Sequence, residues 1–463
     1  MSSADEYQAI VIGSGQGGNP LCSAFAGAGT RTALIEREHV GGTCINEGCT
    51  PTKTMVASAR VAYLSRRGAD YGVELDHFRI NMERVRKRKR DIVDSFRNSG
   101  QAKLEKTANL DLILGEASFS GPKSVVIKLK DGSQRTISGE KIFINAGCRP
   151  GLPPVEGLKD IPYLNSTSIM ELNELPEHLL VLGGGYVGLE FGQMFRRFGS
   201  RVTIVQSGSQ LLAQEDADVA EEVAKILQQD GIEVSLNTKA QRVAKTGSEI
   251  ALTVAGSAGT RAMQGSHLLV ATGRPPNTEV LNLAAAKIET DQHGFIKVNS
   301  KLETSAPGIY ALGDINGGPA FTHISYDDFR ILKANLIEKG HATTTDRLVP
   351  YTVFIDPQLG RVGLSEGQAR KLGKKIRVTK MQMSSVARAL EIDETRGFMK
   401  AVVDAESNQI LGATVLGIEG GEIMSMLEIA MMGKLPYTAL QNAIFAHPTL
   451  AESLNNLFNH FDS

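Results

Sequence analysis

A glycine-rich turn occurs twice at identical spacing, and no other feature constrains the fold as much. AIVIGSGQGG (9–18) carries a β-branched run into Gly13, Gly15 and Gly18. A helical stretch follows, and a second run, TALIE, ends at Glu36. LLVLGGGYVG (179–188) repeats this with Gly183, Gly185 and Gly188, and RVTIVQ closes the unit at Gln206. Gly13 lies 23 residues before Glu36, and Gly183 lies 23 before Gln206. Each unit reads as strand, helix and parallel strand in about 30 residues. The first glycine permits a tight turn, the second lets backbone approach a pyrophosphate, and the third lets helix and strand pack closely. The pyrophosphate then meets the positive end of a helix dipole. The expected fold is α/β with two Rossmann-like dinucleotide-binding domains.

The two acid positions differ. Glu36 can accept hydrogen bonds from both ribose hydroxyls. Gln206 lacks the charge that would repel a 2′-phosphate and also the charge that would attract one. Ser207 and Ser209 beside it add only neutral hydrogen bonds. Both NADPH and NADH are expected to bind, with a weak preference for NADPH.

At roughly 100–200 residues per domain, 463 residues allow two to four domains. A smaller repeat follows each unit, IFINAGCRP (142–150) and LLVATGRPP (268–276). Residues 70–135 read as a charged helix followed by short strands. Beyond about residue 343 the texture changes. YTVFIDP, IRVTKM, GFMKAVVDA and ILGATVLG read as antiparallel strands, GEIMSMLEIAMMGK and PTLAESLNNLFNHF as amphipathic helices. That is a third, α+β domain. Lys and Arg number 50 against 51 Asp and Glu, a net charge of −1. This balance gives no electrostatic reason to bind nucleic acid or an acidic membrane. No apolar run is long enough to span a bilayer, and residues 1–8 lack the pattern of a signal peptide. The expected compartment is the cytoplasm. The basic run MERVRKRKR (82–90) reads as a solvated helix face. Met424, Met426, Met431 and Met432 read as core or interface filling.

Four cysteines in so long a chain form no secreted disulfide framework. Cys22 and Cys148 read as non-catalytic thiols. Cys44 and Cys49, in GGTCINEGCTPTK (41–53), read as redox or metal chemistry. In a regular helix they would be separated by a rise of about 7.5 Å. A disulfide usually needs Cα atoms within about 6.8 Å. A bond between them therefore requires a break in the helix, which Gly48 and Pro51 favour. A helix beginning here would lower a thiolate pKa at its N-terminus. No second pair completes a zinc site, so no metal centre is expected. His447, in AHPTLAE, is expected at a helix entrance because Pro448 excludes helical geometry before it. Glu452, in the first turns, could orient the imidazole, the natural shuttle for a thiol proton.

In order, the motifs G-x-G-x-x-G, GGTCINEGCTPTK, GGGYVGLEFG, ATGRPP, TSAPGIYALGD and HPTLAE resemble the FAD-dependent pyridine nucleotide-disulfide oxidoreductases of the dihydrolipoamide dehydrogenase, glutathione reductase and mercuric reductase group. The resemblance spans nearly the whole chain. It implies an FAD-binding domain from residues 1–145 and 271–343, an NAD(P)-binding domain over 146–270 and a C-terminal α+β dimerisation domain over 344–463. It implies FAD on Gly13, Gly15, Gly18 and Glu36, with Asp314 on the ribityl chain. Gly42, Thr43, Gly147, Gly273 and Arg274 extend the cofactor-binding set. Lys53 and Glu190 match the family's ion pair beside the flavin, and Gly183, Gly185, Gly188 and Gln206 match its nicotinamide-nucleotide site. The implied reaction carries electrons from NAD(P)H through FAD to a Cys44–Cys49 disulfide. Cys49 faces the flavin and Cys44 the substrate, and His447 and Glu452 from the partner subunit of a homodimer handle the proton.

Two departures bear on substrate. Asn145 and Cys148 stand in INAGCRP, where relatives usually have Ala-Thr-Gly and a small polar residue. ARALEIDETRGFMK (387–400) is closer to metal reductases, yet the chain has no C-terminal cysteine pair and keeps His447. A metal ion needs thiolate ligands, whereas a disulfide needs a proton shuttle. The first expectation is thus a disulfide substrate, lipoamide or another small disulfide. A metal-ion or quinone reductase and a redox-sensing flavoprotein are the alternatives.

Overall fold

The computed structural model describes residues 5–257 and 259–461. These form two compact units. The first comprises residues 1–54, 84–151 and 273–347, and the second 55–83, 152–272 and 348–463.

In the first unit the buried runs AIVI and TALIE form parallel strands, because burial on both faces favours continuous apolar sequence. The strands are β1 (Asp5–Ile12), β2 (Thr32–Glu36), β3 (Leu110–Gly121), β4 (Ser124–Leu129), β5 (Gln134–Ile144) and β13 (Ile309–Ala311). Their parallel core has the order β3-β2-β1-β5-β13. The long strands β3 and β5 continue past this core, and β4 pairs antiparallel with both extensions. Alternation from Ala9 onward sends Ile10 and Ile12 to one apolar cluster and Ala9 and Val11 to another, and Tyr7, before that stretch, joins the first. Helix α1 (Gly18–Gly27) follows β1 and buries Leu21, Cys22 and Phe25. Helices α2 (Gly42–Asn46), α3 (Cys49–Arg66) and α4 (Met82–Glu105) follow β2.

The second unit repeats the pattern. Strands β6 (His178–Leu182), β7 (Arg201–Val205), β8 (Glu233–Ser235) and β12 (His267–Val270) form a parallel sheet in the order β12-β6-β7-β8. Helix α5 (Tyr186–Phe198) joins β6 to β7, and α6 (Ala217–Gln229) precedes β8. A three-stranded antiparallel sheet of β9 (Lys239–Thr246), β10 (Glu249–Gly256) and β11 (Gly259–Gly265) takes the place of the β3–β5 meander. The same unit holds a five-stranded antiparallel sheet. Its strands are β14 (Tyr351–Val353), β15 (Gln358–Gly363), β16 (Ile376–Gln382), β17 (Phe398–Asp404) and β18 (Ile410–Gly417), in the order β14-β15-β18-β17-β16. The long C-terminal apolar helix runs Gly420–Met432. It buries Met424 in the core, while Met426 and Met432 face outward.

Two local expectations need correction. The last helix is short, Ser453–Leu457, with Glu452 as its N-cap, so His447 lies in the preceding loop and not at a helix entrance. The basic run on α4 is mostly exposed, but Lys89 is buried and Arg88 donates to the Thr54 carbonyl at 2.8 Å.

Candidate active site

The two cysteines sit where one helix stops and the next begins. Cys44 lies in α2, and Cys49 is the first residue of α3. The chain folds back at Gly48 so closely that a side chain there would meet the Thr43 carbonyl oxygen at 2.9 Å. This is the helical break that a bond between the two sulfurs requires. Both cysteines are thiols in this structure, Cys49 exposed and Cys44 partly buried. A hydrogen bond with Cys49 and burial raise the Cys44 pKa, and a hydrogen bond from Thr322 and the charge of Lys53 oppose the rise. Lys53, four residues after Cys49 on α3, shares its helix face. Thr322 Oγ1 lies 3.2 Å from Cys49 Sγ and donates to it once the sulfur is a thiolate. Nothing in the local sequence indicated Thr322, because 273 residues separate it from Cys49.

The first glycine turn packs beside this region. Gly13 has φ +98°, and a Cβ there would meet the Asn145 carbonyl oxygen at 2.4 Å, so only glycine fits. Glu36 closes the turn. Ser14 N–H donates to its Oε2 at 3.0 Å, Ser14 Oγ at 2.5 Å, and Glu38 N–H donates to Oε1 at 2.8 Å. Asn145, expected only as a departure from the family, ties the turn to the rest of the unit. Its Oδ1 accepts Gly18 N–H at 2.9 Å, and its Nδ2 donates to the Leu312 carbonyl at 2.8 Å. Gly41 N–H donates to the Ser14 carbonyl at 3.2 Å, which sets Gly42 and Thr43 beside the turn.

The segments after β5 and after β12 meet as a crossing pair. Gly151 N–H donates to Gly273 O at 2.9 Å, Asn277 N–H to Gly147 O at 3.0 Å, and Arg274 Nη2 to Cys148 O at 2.8 Å. Asp314 follows β13. Burial raises its pKa, Arg274 opposes the rise, and no neighbouring side chain donates to its carboxylate among the described residues. A desolvated carboxylate without a side-chain donor is a ready acceptor for a ligand hydroxyl. Together with the glycine turn and the start of α1, it fits a flavin dinucleotide.

In the second unit, Gly183 has φ +116°, and a Cβ there would meet the Ala271 carbonyl oxygen at 2.4 Å. Gln206 closes this turn by accepting Gly184 N–H at 3.0 Å and donating to the Gln210 carbonyl at 3.2 Å. Gly185 and Gly188 lie at the start of α5. Glu190, on the same helix, is buried and accepts Phe354 N–H at 2.8 Å. His447 also belongs to the second unit. Its Nδ1 contacts both Glu452 oxygens, at 2.8 and 3.1 Å. The side chain is 68% exposed.

The first unit thus holds Cys44, Cys49, Lys53, Asp314 and one nucleotide turn. The second holds the other turn, Glu190, His447 and Glu452. Among the described residues no helix is long and apolar enough to cross a membrane.

Residues 7–328 match the family described as pyridine nucleotide-disulphide oxidoreductase, and residues 349–458 match its dimerisation domain. A probable pyridine nucleotide-disulfide oxidoreductase, RclA of Escherichia coli K12, is 39% identical over 98% of this chain and 99% of its own. A mercuric reductase of Lysinibacillus sphaericus is 33% identical over 99% of this chain and 83% of its own. A dihydrolipoyl dehydrogenase of Chlorobaculum tepidum is 32% identical over 97% of this chain and 96% of its own. The solved Cu(II) complex of the HOCl-induced flavoprotein disulfide reductase RclA from Escherichia coli superposes with a TM-score of 0.90. It shares 38% identity and covers 98% of this chain and 99% of its own. The chain is a flavoprotein enzyme of the pyridine nucleotide-disulfide oxidoreductase family.

Proposed function

We propose that this enzyme reduces a small disulfide with electrons from NADPH or NADH, using FAD and the Cys44–Cys49 pair. Gly13, Gly15, Gly18, Glu36, Gly42, Thr43, Gly147, Gly273, Arg274 and Asp314 would hold FAD. Gly183, Gly185, Gly188 and Gln206 would hold the nicotinamide nucleotide, and uncharged Gln206 favours NADPH slightly. Lys53 and Glu190 would be the charged residues that serve the flavin. The bound cofactors supply the two-electron chemistry that resets the cysteines to thiols.

The observation that carries this reading is the His447–Glu452 pair. Cys44 is held neutral by Cys49 and by burial, so as a nucleophile it needs a base. Glu452 fixes one ring nitrogen of His447 and leaves Nε2 to take that proton. The Cys44 thiolate attacks one substrate sulfur, and the departing thiolate receives the proton back from His447. Cys49, stabilised by Thr322 and the start of α3, then attacks the Cys44 sulfur. His447 takes the Cys49 proton and returns it to the second departing sulfur, which leaves as a thiol, and a Cys44–Cys49 disulfide remains. In this scheme His447 and Glu452 come from the partner subunit of a homodimer. The outward face of the C-terminal helix, with Ile429 68% and Met432 69% exposed, suits such an interface. Scarce cysteine in a long chain favours a cytoplasmic setting.

A second reading is metal-ion reduction, favoured by the mercuric reductase relatives and by the Cu(II) complex of RclA. One experiment separates the two. NADPH and NADH oxidation is followed with lipoamide, glutathione disulfide, Hg(II) and Cu(II), for wild type and His447→Ala. The variant should lose disulfide turnover by about 10²–10⁴-fold and keep its rate of flavin reduction by NADPH. Equal loss in both half-reactions would remove His447 from the proton step. Turnover confined to metal ions and insensitive to the variant would establish the second reading.

A further inference from the structure

We propose that the second compact unit contains a binding site for a small multiply charged oxyanion, phosphate or pyrophosphate, free or at the end of a larger molecule, in a cavity of about 610 Å³ walled by Arg66, Arg196, Arg197 and Arg396. That volume lies within the range of small-molecule sites. Five arginines and three carboxylates line it, and Asp356 and Asp70 pair with Arg197 and Arg67 from outside the lining, so the cations left unmatched among the described residues are Arg66 and Arg196.

The carboxylates are already committed. Asp230 receives Arg396 at 2.7 Å on one oxygen and Gln193 at 2.8 Å on the other. Glu394 receives Arg396 on both oxygens, at 2.7 and 2.6 Å, and Asp393 is paired with Arg67. Arg66 and Arg196 have no carboxylate partner among the described residues. Arg66 Nη1 donates to the Arg197 carbonyl, and Arg196 Nε donates to the Asp230 carbonyl at 2.8 Å. Each bond uses one corner of a guanidinium and leaves its other donors for a ligand. Burial, and after it the charges of Arg196 and Arg197, lower the Arg66 pKa. Arg197, only 4% exposed, keeps a buried Nε with no partner. Its guanidinium is held 3.9 Å from the centre of the Tyr63 ring. An oxyanion would relieve the repulsion on Arg66 and meet the free donors of Arg66 and Arg196, since Arg197 and Arg396 are already bound to Asp356, Asp230 and Glu394.

This site is separate from the second glycine turn. Gly188 and Arg197 are nine residues apart on α5, about 14 Å along its axis. The turn uses the positive end of the helix, whereas the arginines gather at the negative end. There the helix alone would repel an anion, and the arginines reverse the sign.

The test is equilibrium dialysis of inorganic pyrophosphate, and separately of ADP, against the flavin-loaded enzyme in phosphate-free buffer. Wild type is compared with R66Q, R196Q, the double variant and R66K. Pyrophosphate should saturate at one per chain and bind about tenfold more weakly for each arginine neutralised. R66K should retain most of the binding, and the KM for NADPH should stay unchanged throughout. The arginine-dependent part of ADP binding is its wild-type value less that of the double variant. If that part exceeds pyrophosphate binding, the natural ligand is a nucleotide; if it is absent, the ligand is the free anion. Flavin content and Tm report folding, and the single variants decide if the double variant does not fold. The proposal is overturned if wild type shows no saturable binding, if the double variant binds as wild type does, or if lost binding is matched by a rise in KM.

Discussion

The two glycine turns share spacing and strand order yet are closed by different chemistry. In the first, a carboxylate and a side-chain amide do the closing. Glu36 accepts two backbone N–H groups and a hydroxyl, and Asn145 ties Gly18 to Leu312. In the second, neutral Gln206 holds Gly184, and Ala271 stands opposite Gly183 with no side-chain hydrogen bond to offer. A Cβ at Gly15 would meet Asn145 Oδ1 at 2.6 Å, whereas nothing lies within 4 Å of one at Gly185. One fingerprint thus supports two uses. The braced turn suits a resident cofactor, and the open turn suits a nucleotide that must enter and leave each cycle.

The sharpest way to break this comparison is to damage the first glycine of each turn. Gly13→Ala and Gly183→Ala place a Cβ against a carbonyl oxygen at the same 2.4 Å and at a positive φ. Gly13→Ala should purify almost without flavin, read from its visible absorbance. Gly183→Ala should stay yellow and lose only its response to NADPH and NADH. Equal flavin loss in both would erase the assignment of one turn to each cofactor. Next in size is Asn145→Ala, which leaves Gly18 N–H and the Leu312 carbonyl without partners. Such a loss costs about 1–3 kcal/mol, to be read from denaturant unfolding of the flavin-loaded protein. A smaller effect should follow Gln206→Glu, which restores a carboxylate at the second turn. The ratio of kcat/KM for NADH over NADPH should rise about tenfold, while flavin content stays constant.

The parts legible in the sequence are those encoded by neighbours. Gly13 to Glu36 and Gly183 to Gln206 each specify a strand, a helix and a strand by local spacing, and both sheets follow. Cys44, Gly48 and Cys49 likewise report a helix break within six residues. Contacts made across long separations were not legible. Asn145 stood out only as an unusual residue, because its partners lie 127 and 167 positions away. The arginine cavity draws on segments near 66, 197 and 396, each an ordinary charged stretch by itself. The length of the last helix is overestimated by sequence because PTLAESLNNLFNHF keeps a helical apolar period. Its apolar residues instead pack around a five-residue helix, with Leu454, Leu457 and Phe458 in the core.

The smallest expected effect is also the most discriminating. Gly185→Ala adds a methyl group where the structure has open space, and Gly185 has φ −83°, which alanine adopts freely. Unfolding stability should therefore change by no more than about 0.5 kcal/mol, and flavin content should not change. If the open space is where the nucleotide pyrophosphate approaches the backbone, the same methyl must raise the KM for NADPH with little change in kcat at saturation. Gly15→Ala serves as the control. Its methyl meets the Asn145 amide, so it should reduce flavin retention, the opposite pattern to Gly185→Ala. A Gly185→Ala enzyme with unaltered KM would mean that the second turn is open for a reason other than nucleotide exchange.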